Sequence, residues 1–253
     1  MSPMAISVFS FFCIFIGALL GLYLRSVLPK HHLSDKTMEA VKVGIALIAT
    51  LTALVLGLLV SSAKDSLDKM TAEITESGAR VILVDRILAR YGPDTDKARA
   101  ELRHCLASAL EILWSEGDVS KFGENVLVQR AGIEEVHDML RRLSPQDEYQ
   151  RLIITQALGI MDEMAKSRWL IIERMQSTLP MPLLVFLVLW LTVFFICFGL
   201  LSERNATVIA VMFICALSVA GAIFLILEMS NPLQGFIKVS YAPLRNALAQ
   251  IGQ

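Results

Sequence analysis

Charge is missing from four long stretches of this chain: Ala5 to Leu24, Val43 to Ala63, Met181 to Ser202 and Asn205 to Leu227 contain no Asp, Glu, Lys or Arg. Each run is close to the ~20 residues a helix needs to cross ~30 Å of hydrocarbon. Four such runs in 253 residues exclude an ordinary soluble domain. Composition agrees, since 55% of the residues are hydrophobic and 19% charged, where soluble domains carry about a quarter charged.

Other absences narrow the function. A net charge of −1 gives no basic footprint for nucleic acid. The four cysteines, Cys13, Cys105, Cys197 and Cys215, are scattered between three apolar runs and the polar region, which supports neither a disulfide framework nor a zinc site. His31, His32 and Asp35 lie close together in "HHLSD", but no Cys or Glu completes a ligand spacing, so no metal is expected. No phosphate-cradling glycine loop, nucleophile elbow or metal-hydrolase spacing is present, so neither a cofactor nor an enzyme activity is expected. Alternation of apolar and polar residues at strand spacing is also missing. The first apolar run has no Lys or Arg before it and no small-x-small cleavage site after it, so it reads as a membrane helix rather than a leader.

What is present points to an all-α integral membrane protein. Transmembrane helices are expected at about 5–24 and 43–63 (within residues 1–63) and at about 181–202 and 205–227 (within 179–228). A central helical bundle domain, 64–178, is inserted between spans 2 and 3, and residues 229–253 form a C-terminal tail. In the central block Leu67, Met70, Ile74, Val81, Val84 and Leu88 follow a heptad, with Ser77 in the one polar slot. Gly92 and Pro93 in "YGPD" end that helix, and Asp94 or Thr95 can cap the next. Leu102, Leu106, Ala109 and Leu113 mark a second stripe, and Ile133, Val136 and Leu140 a third within Gln129 to Leu143. "SPQD" predicts a helix start with Ser144 as N-cap and Pro145 in the first turn, followed by Tyr149, Ile153, Gln156, Ile160, Met164 and Ile171 on one face. Nothing between Leu58 and Tyr91 but Gly78 weakens a helix, so spans and domain are expected to share one rod from Val43 to Tyr91, about 73 Å long.

The second span has a stripe of small or hydroxylated residues, Ala46, Thr50, Ala53, Gly57 and Ser61, continued by Lys64. Such a stripe either lets helices approach closely or lines a hydrated path. Ser62 and Lys64 stand at the membrane exit, where the lysine either snorkels or forms a cationic mouth. Gly17 and Gly21 form a Gly-x-x-x-Gly assembly contact. Glu228 ends the fourth span in "LEMSNPLQGF", as a functional carboxylate or as a hydrated interfacial one. No other acid, and no Lys, Arg or His, lies in a span, which argues against a proton- or sodium-coupled transporter. Cations near span ends favour the side of the polar domain, seven (Lys64, Lys69, Lys166, Arg168, Arg174, Lys238, Arg245) against five (Arg25, Lys30, Lys36, Lys42, Arg204), which places domain and termini in the cytoplasm.

Two segments, "GLLVSSAKDSLD" from Gly57 and "LILEMSNPLQGFIKVS" from Leu225, resemble the paired signatures of a bacterial membrane family called bestrophin-like. The second keeps Glu228, Pro232, Gly235 and Ser240, with Ser230 and Asn231 where the family has an acid and a base. The resemblance implies kinship to bestrophins, which are pentameric anion channels with cytosolic helical domains and a pore lined by a membrane helix. The expectation is a homo-oligomeric channel in a bacterial inner membrane, passing small inorganic ions. Thr50, Gly57, Ser61, Ser62 and Lys64 would line the pore or its mouth, and Glu228, Pro232 and Gly235 would form an interfacial motif. The alternative is a non-conducting scaffold or sensor whose helical domain binds a cytosolic partner. The surrounding lipid is a partner in either case.

Overall fold

The computed structural model describes residues 2–28, 35–115, 132–176, 181–230, 237 and 239–252. All regular structure among them is helical. Pro180, Pro232, Gly235, His31 and His32 lie outside the described residues. In chain order the helices are α1 (Pro3–Val27), α2 (Asp35–Tyr91), a 3-10 turn (Pro93–Thr95), α3 (Asp96–Ser115), α4 (132–141), α5 (Glu148–Gln176), α6 (Met181–Leu201), α7 (Ala206–Met229) and α8 (Ala242–Gln250). Four of them, α1, α2, α6 and α7, are long and apolar enough to cross a membrane. The chain divides into two compact units, Met1–Ser66 with Thr178–Asn231, and Leu67–Ser177 with Pro232–Gln253.

The first unit holds the apolar helices. α1 starts where Ser2 accepts a hydrogen bond from the Ala5 amide at 3.3 Å, with Pro3 in the first turn. Ser7 and Ser10 donate to the carbonyls of Pro3 and Ile6 at 2.8 Å, so neither hydroxyl is left unsatisfied in an apolar setting. α1 crosses α6 at glycines on both helices. A Cβ on Gly17 would stand 3.0 Å from Thr192 Cγ2 and 3.2 Å from the Thr192 carbonyl oxygen, and one on Gly21 would overlap the Ile196 carbonyl. From the other side, a Cβ on Gly199 would overlap the carbonyl of Ala18. The Gly-x-x-x-Gly pair thus packs two backbones of the same chain. Where this crossing ends, the Arg25 guanidinium donates to the Leu201 carbonyl, satisfying a C-terminal group of α6.

The second unit is built on the lower half of α2. Met70, Ile74, Val81, Val84 and Leu88 of the heptad are buried, with Leu67 packed alongside. Burying each of these large side chains contributes about 1.5–3 kcal/mol. Ala98, Leu102 and Leu106 of α3, Val136 and Leu140 of α4, and Ile153, Ile154, Ala157 and Met161 of α5 complete the core. Residues 239–252, expected as a tail, supply Val239, Leu244, Ala247 and Ile251 to the same core. Their approach explains Gly78, where a Cβ would stand 3.0 Å from the Pro243 carbonyl oxygen.

Three local expectations need correction. α5 begins at Glu148, not beside Ser144, because Asp147 is the better cap: its Oδ1 accepts from the Gln150 amide at 2.6 Å, and Gln150 Oε1 accepts from the Gln146 amide at 2.8 Å. The face of α5 is also rotated, so Tyr149 and Gln156 are exposed while Ile154, Ala157 and Met161 turn inward. Thr95 does not cap α3 from outside. Its buried hydroxyl donates to the Leu88 carbonyl at 2.7 Å and lies 2.8 Å from that of Gly92, closing the end of α2 after Gly92 turns the chain at φ 120°.

Candidate functional site

α2 is unbroken from Asp35 to Tyr91, so the stretch Ser61 to Asp65 is regular helix. Continuity fixes the angular position of every side chain, at about 100° per residue. Taking Thr50 as zero, Ala46, Ala53, Gly57, Ser61 and Lys64 fall between about 300° and about 20°. All are exposed in the isolated chain. Thr52, Leu59 and Ala63 fall between about 180° and about 220°, and these are the buried residues of this stretch. Leu59 and Ala63 join the core formed by Ile14, Ala18, Leu191, Ile223, Ile226 and Leu227. The small and hydroxylated stripe therefore points away from the chain's own packed core.

The rest of the helix reinforces that polarity. Leu47, Leu51, Leu54 and Leu58 occupy the adjoining sector from about 40° to about 100° and are each more than 40% exposed. Of the most apolar window of each helix, 39% is buried in α1 and 28% in α6 and α7, but 11% in α2. A helix so little covered by its own chain leaves most of its surface for lipid or for other copies.

Hydrogen bonding separates the two threonines of this span. Thr50 donates to the Ala46 carbonyl at 2.8 Å, a helix-internal bond that keeps its hydroxyl oxygen available to a ligand as acceptor. Thr52 Oγ1, on the buried side, has no hydrogen-bond partner among the described residues. Gly57 has no described residue within 4 Å of the position of a Cβ, so none of the described residues holds it small.

One residue expected at the mouth falls away from the stripe. Ser62 is exposed, but at about 120° it stands roughly 100° from Ser61 and belongs to a different face. Glu228 is 4% exposed and follows Ile226 and Leu227 of the core, at the end of α7. The turn after it is closed by Ser230, whose hydroxyl donates to the Ile226 carbonyl at 2.7 Å. Pro232 and Gly235 of the same motif lie outside the described residues.

Sequence reasoning passed over the charged centre of the second unit. Asp85 on α2 is buried, and Arg99 on α3 reaches it through Nε at 2.8 Å and a terminal nitrogen at 3.2 Å. The hydrogen bond to Asp85 raises the Arg99 pKa from its ordinary value, so the guanidinium keeps its positive charge through the physiological range. The Gly252 amide donates to the same carboxylate at 3.3 Å. A single Asp inside an apolar heptad was the available signal. Arg80 similarly ties α2 to α5, donating to Ser167 and lying 2.7 Å from Glu76 and 3.7 Å from Glu163. Among the described residues no group of three His, Cys, Asp or Glu is placed to hold a metal.

No curated protein and no solved structure matches the chain. The Bestrophin-like domain family matches residues 12–244, from within α1 to the first turn of α8. That span takes in the four apolar helices and most of both units. An integral membrane protein with this helix order, matched over nearly its whole length, belongs to the Bestrophin-like family.

Proposed function

We propose that the protein is a homo-oligomeric ion channel, passing anions, in which α2 borders the conduction path. The observation that carries this reading is the orientation of the stripe Thr50, Gly57, Ser61 and Lys64, opposite the side of α2 that enters the chain's own core. Four membrane helices cannot enclose a wide aqueous path alone, so several copies would close a ring around the stripe. Membership of the Bestrophin-like family supports the channel reading, as does the exposure of α2. Thr50 and Ser61 would offer hydroxyl groups to a partly dehydrated ion, Gly57 would leave the path wide, and Lys64 would raise the local anion concentration at the mouth. The helical unit and both termini would face the cytoplasm of a bacterial cell, in keeping with the cations near the span ends. No catalytic role is proposed.

Flux from liposomes containing purified protein tests this. Chloride efflux is expected from the wild type, and Lys64→Glu is expected to shift selectivity toward cations. Electrically silent liposomes holding an intact oligomer would overturn conduction and favour a scaffold. Conduction unchanged by Lys64→Glu would remove the lysine from the mouth.

A further inference from the structure

The second unit contains a cleft between α3 and α8 with a volume of about 430 Å³, within the range of small-molecule sites. Its floor is apolar, formed by Ala107 and Leu110 of α3 and Ala242 and Leu248 of α8. Each wall carries one charged side chain, Glu111 and Arg245. Both are exposed, and neither side chain makes a hydrogen bond or ion pair with a described residue.

The two charges stand on different helices, Glu111 on α3 and Arg245 on α8. Glu111, on α3, gives its wall a negative charge. Arg245 lies in the opening turns of α8, whose Ala242 amide donates to the Ser240 hydroxyl at 3.3 Å and whose first turn has no acidic residue, so that end adds to the positive potential. Tyr241 is the N-cap residue, and half-burial raises its phenol pKa, leaving a neutral hydroxyl donor in the cleft wall. On the α8 wall the charge of Arg245 reinforces the helix end instead of opposing it. The cleft thus presents a carboxylate on one wall and a guanidinium on the other, over an apolar floor.

We propose that this cleft binds a small amphiphile with an ammonium group at one end, a carboxylate at the other and an apolar body between. Glu111 takes the ammonium group. Arg245, the Tyr241 hydroxyl and the start of α8 take the carboxylate, and the apolar body lies over Leu110 and Leu248. The site lies within the second unit and does not rest on the proposed conduction.

Calorimetric titration of the full-length protein in detergent with ω-aminooctanoate, octanoate and octylamine tests the assignment. ω-Aminooctanoate is expected to bind at least about tenfold more tightly than either single-charge analogue, the least that losing one charge contact in a partly dry cleft would cause. Glu111→Gln should reduce affinity for ω-aminooctanoate while leaving octanoate unchanged, and Arg245→Gln should leave octylamine unchanged. Both positions are exposed, so the variants should keep the wild-type helix content and melting behaviour. No binding of ω-aminooctanoate up to about 10 mM, or equal affinity for all three probes, would overturn the proposal. Affinity unaffected by either substitution would overturn it equally.

Discussion

Arg99 grips the buried carboxylate of Asp85 with two nitrogens, at 2.8 and 3.2 Å, and so joins α2 to α3 inside an otherwise apolar core. Removing one partner strands a charge that the fold has already desolvated. Asp85→Ala is expected to cost about 3–5 kcal/mol, and Arg99→Ala a similar amount. The double substitution Asp85→Leu with Arg99→Met should cost much less than the sum of the two. Chemical unfolding followed by circular dichroism measures this. Additive losses would mean that the two side chains do not act as a pair.

The glycines of the first unit divide into two kinds. Gly21→Leu and Gly199→Leu should each prevent α1 and α6 from meeting, with loss of folded protein in membranes, because a Cβ already overlaps a backbone carbonyl. Gly57→Ala should leave the yield and melting temperature no lower, since no described residue lies within 4 Å of the new methyl group. Comparing detergent-solubilised yield by size exclusion checks both.

Thr52 and Thr50 sit two residues apart with opposite surroundings. Thr52→Val should stabilise the protein by about 1 kcal/mol, because it replaces a buried, unpaired hydroxyl with a methyl group. Thr50→Val should leave stability within about 0.5 kcal/mol, since its hydroxyl is exposed and bonded to its own helix. Thermal unfolding in one detergent separates them.

Burial of Tyr91, with Asp94 and Asp147 nearby, raises its phenol pKa above the ordinary 10.0. The folded pKa exceeds the unfolded one, so this stabilisation is fully present below pH 10.0 and fades as pH rises through the folded value. Tyr91→Phe should therefore lose less stability than the wild type between pH 10.0 and more alkaline conditions. Parallel alkaline unfolding curves would contradict the assignment.

Much of the fold was legible because it follows from solvent preference. Uncharged runs marked the four membrane helices, and the heptad from Leu67 to Leu88 marked the face that α3, α4 and α5 cover. Gly92 and Pro93 ended α2 as their chemistry requires. What was not legible depends on distant partners. Gly78 looked like a weak point until Pro243 was found against it, and Asp85 looked like one more charge until Arg99 and Gly252 met it. The stripe on α2 was readable as a list of small residues. Its direction was not, because that depends on which side Leu59 and Ala63 bury.

Cysteine accessibility tests that direction most directly. In a background with Cys13, Cys105, Cys197 and Cys215 replaced, single cysteines at Thr50, Gly57 and Ser61 are compared with cysteines at Leu51, Leu58 and Leu59. A charged, membrane-impermeant thiol reagent should modify the first three and reduce chloride flux through the reconstituted protein, while the last three should neither react nor change flux. Reaction at Leu51 or Leu58 with none at Thr50, Gly57 and Ser61 would turn the stripe away from water and contradict the account.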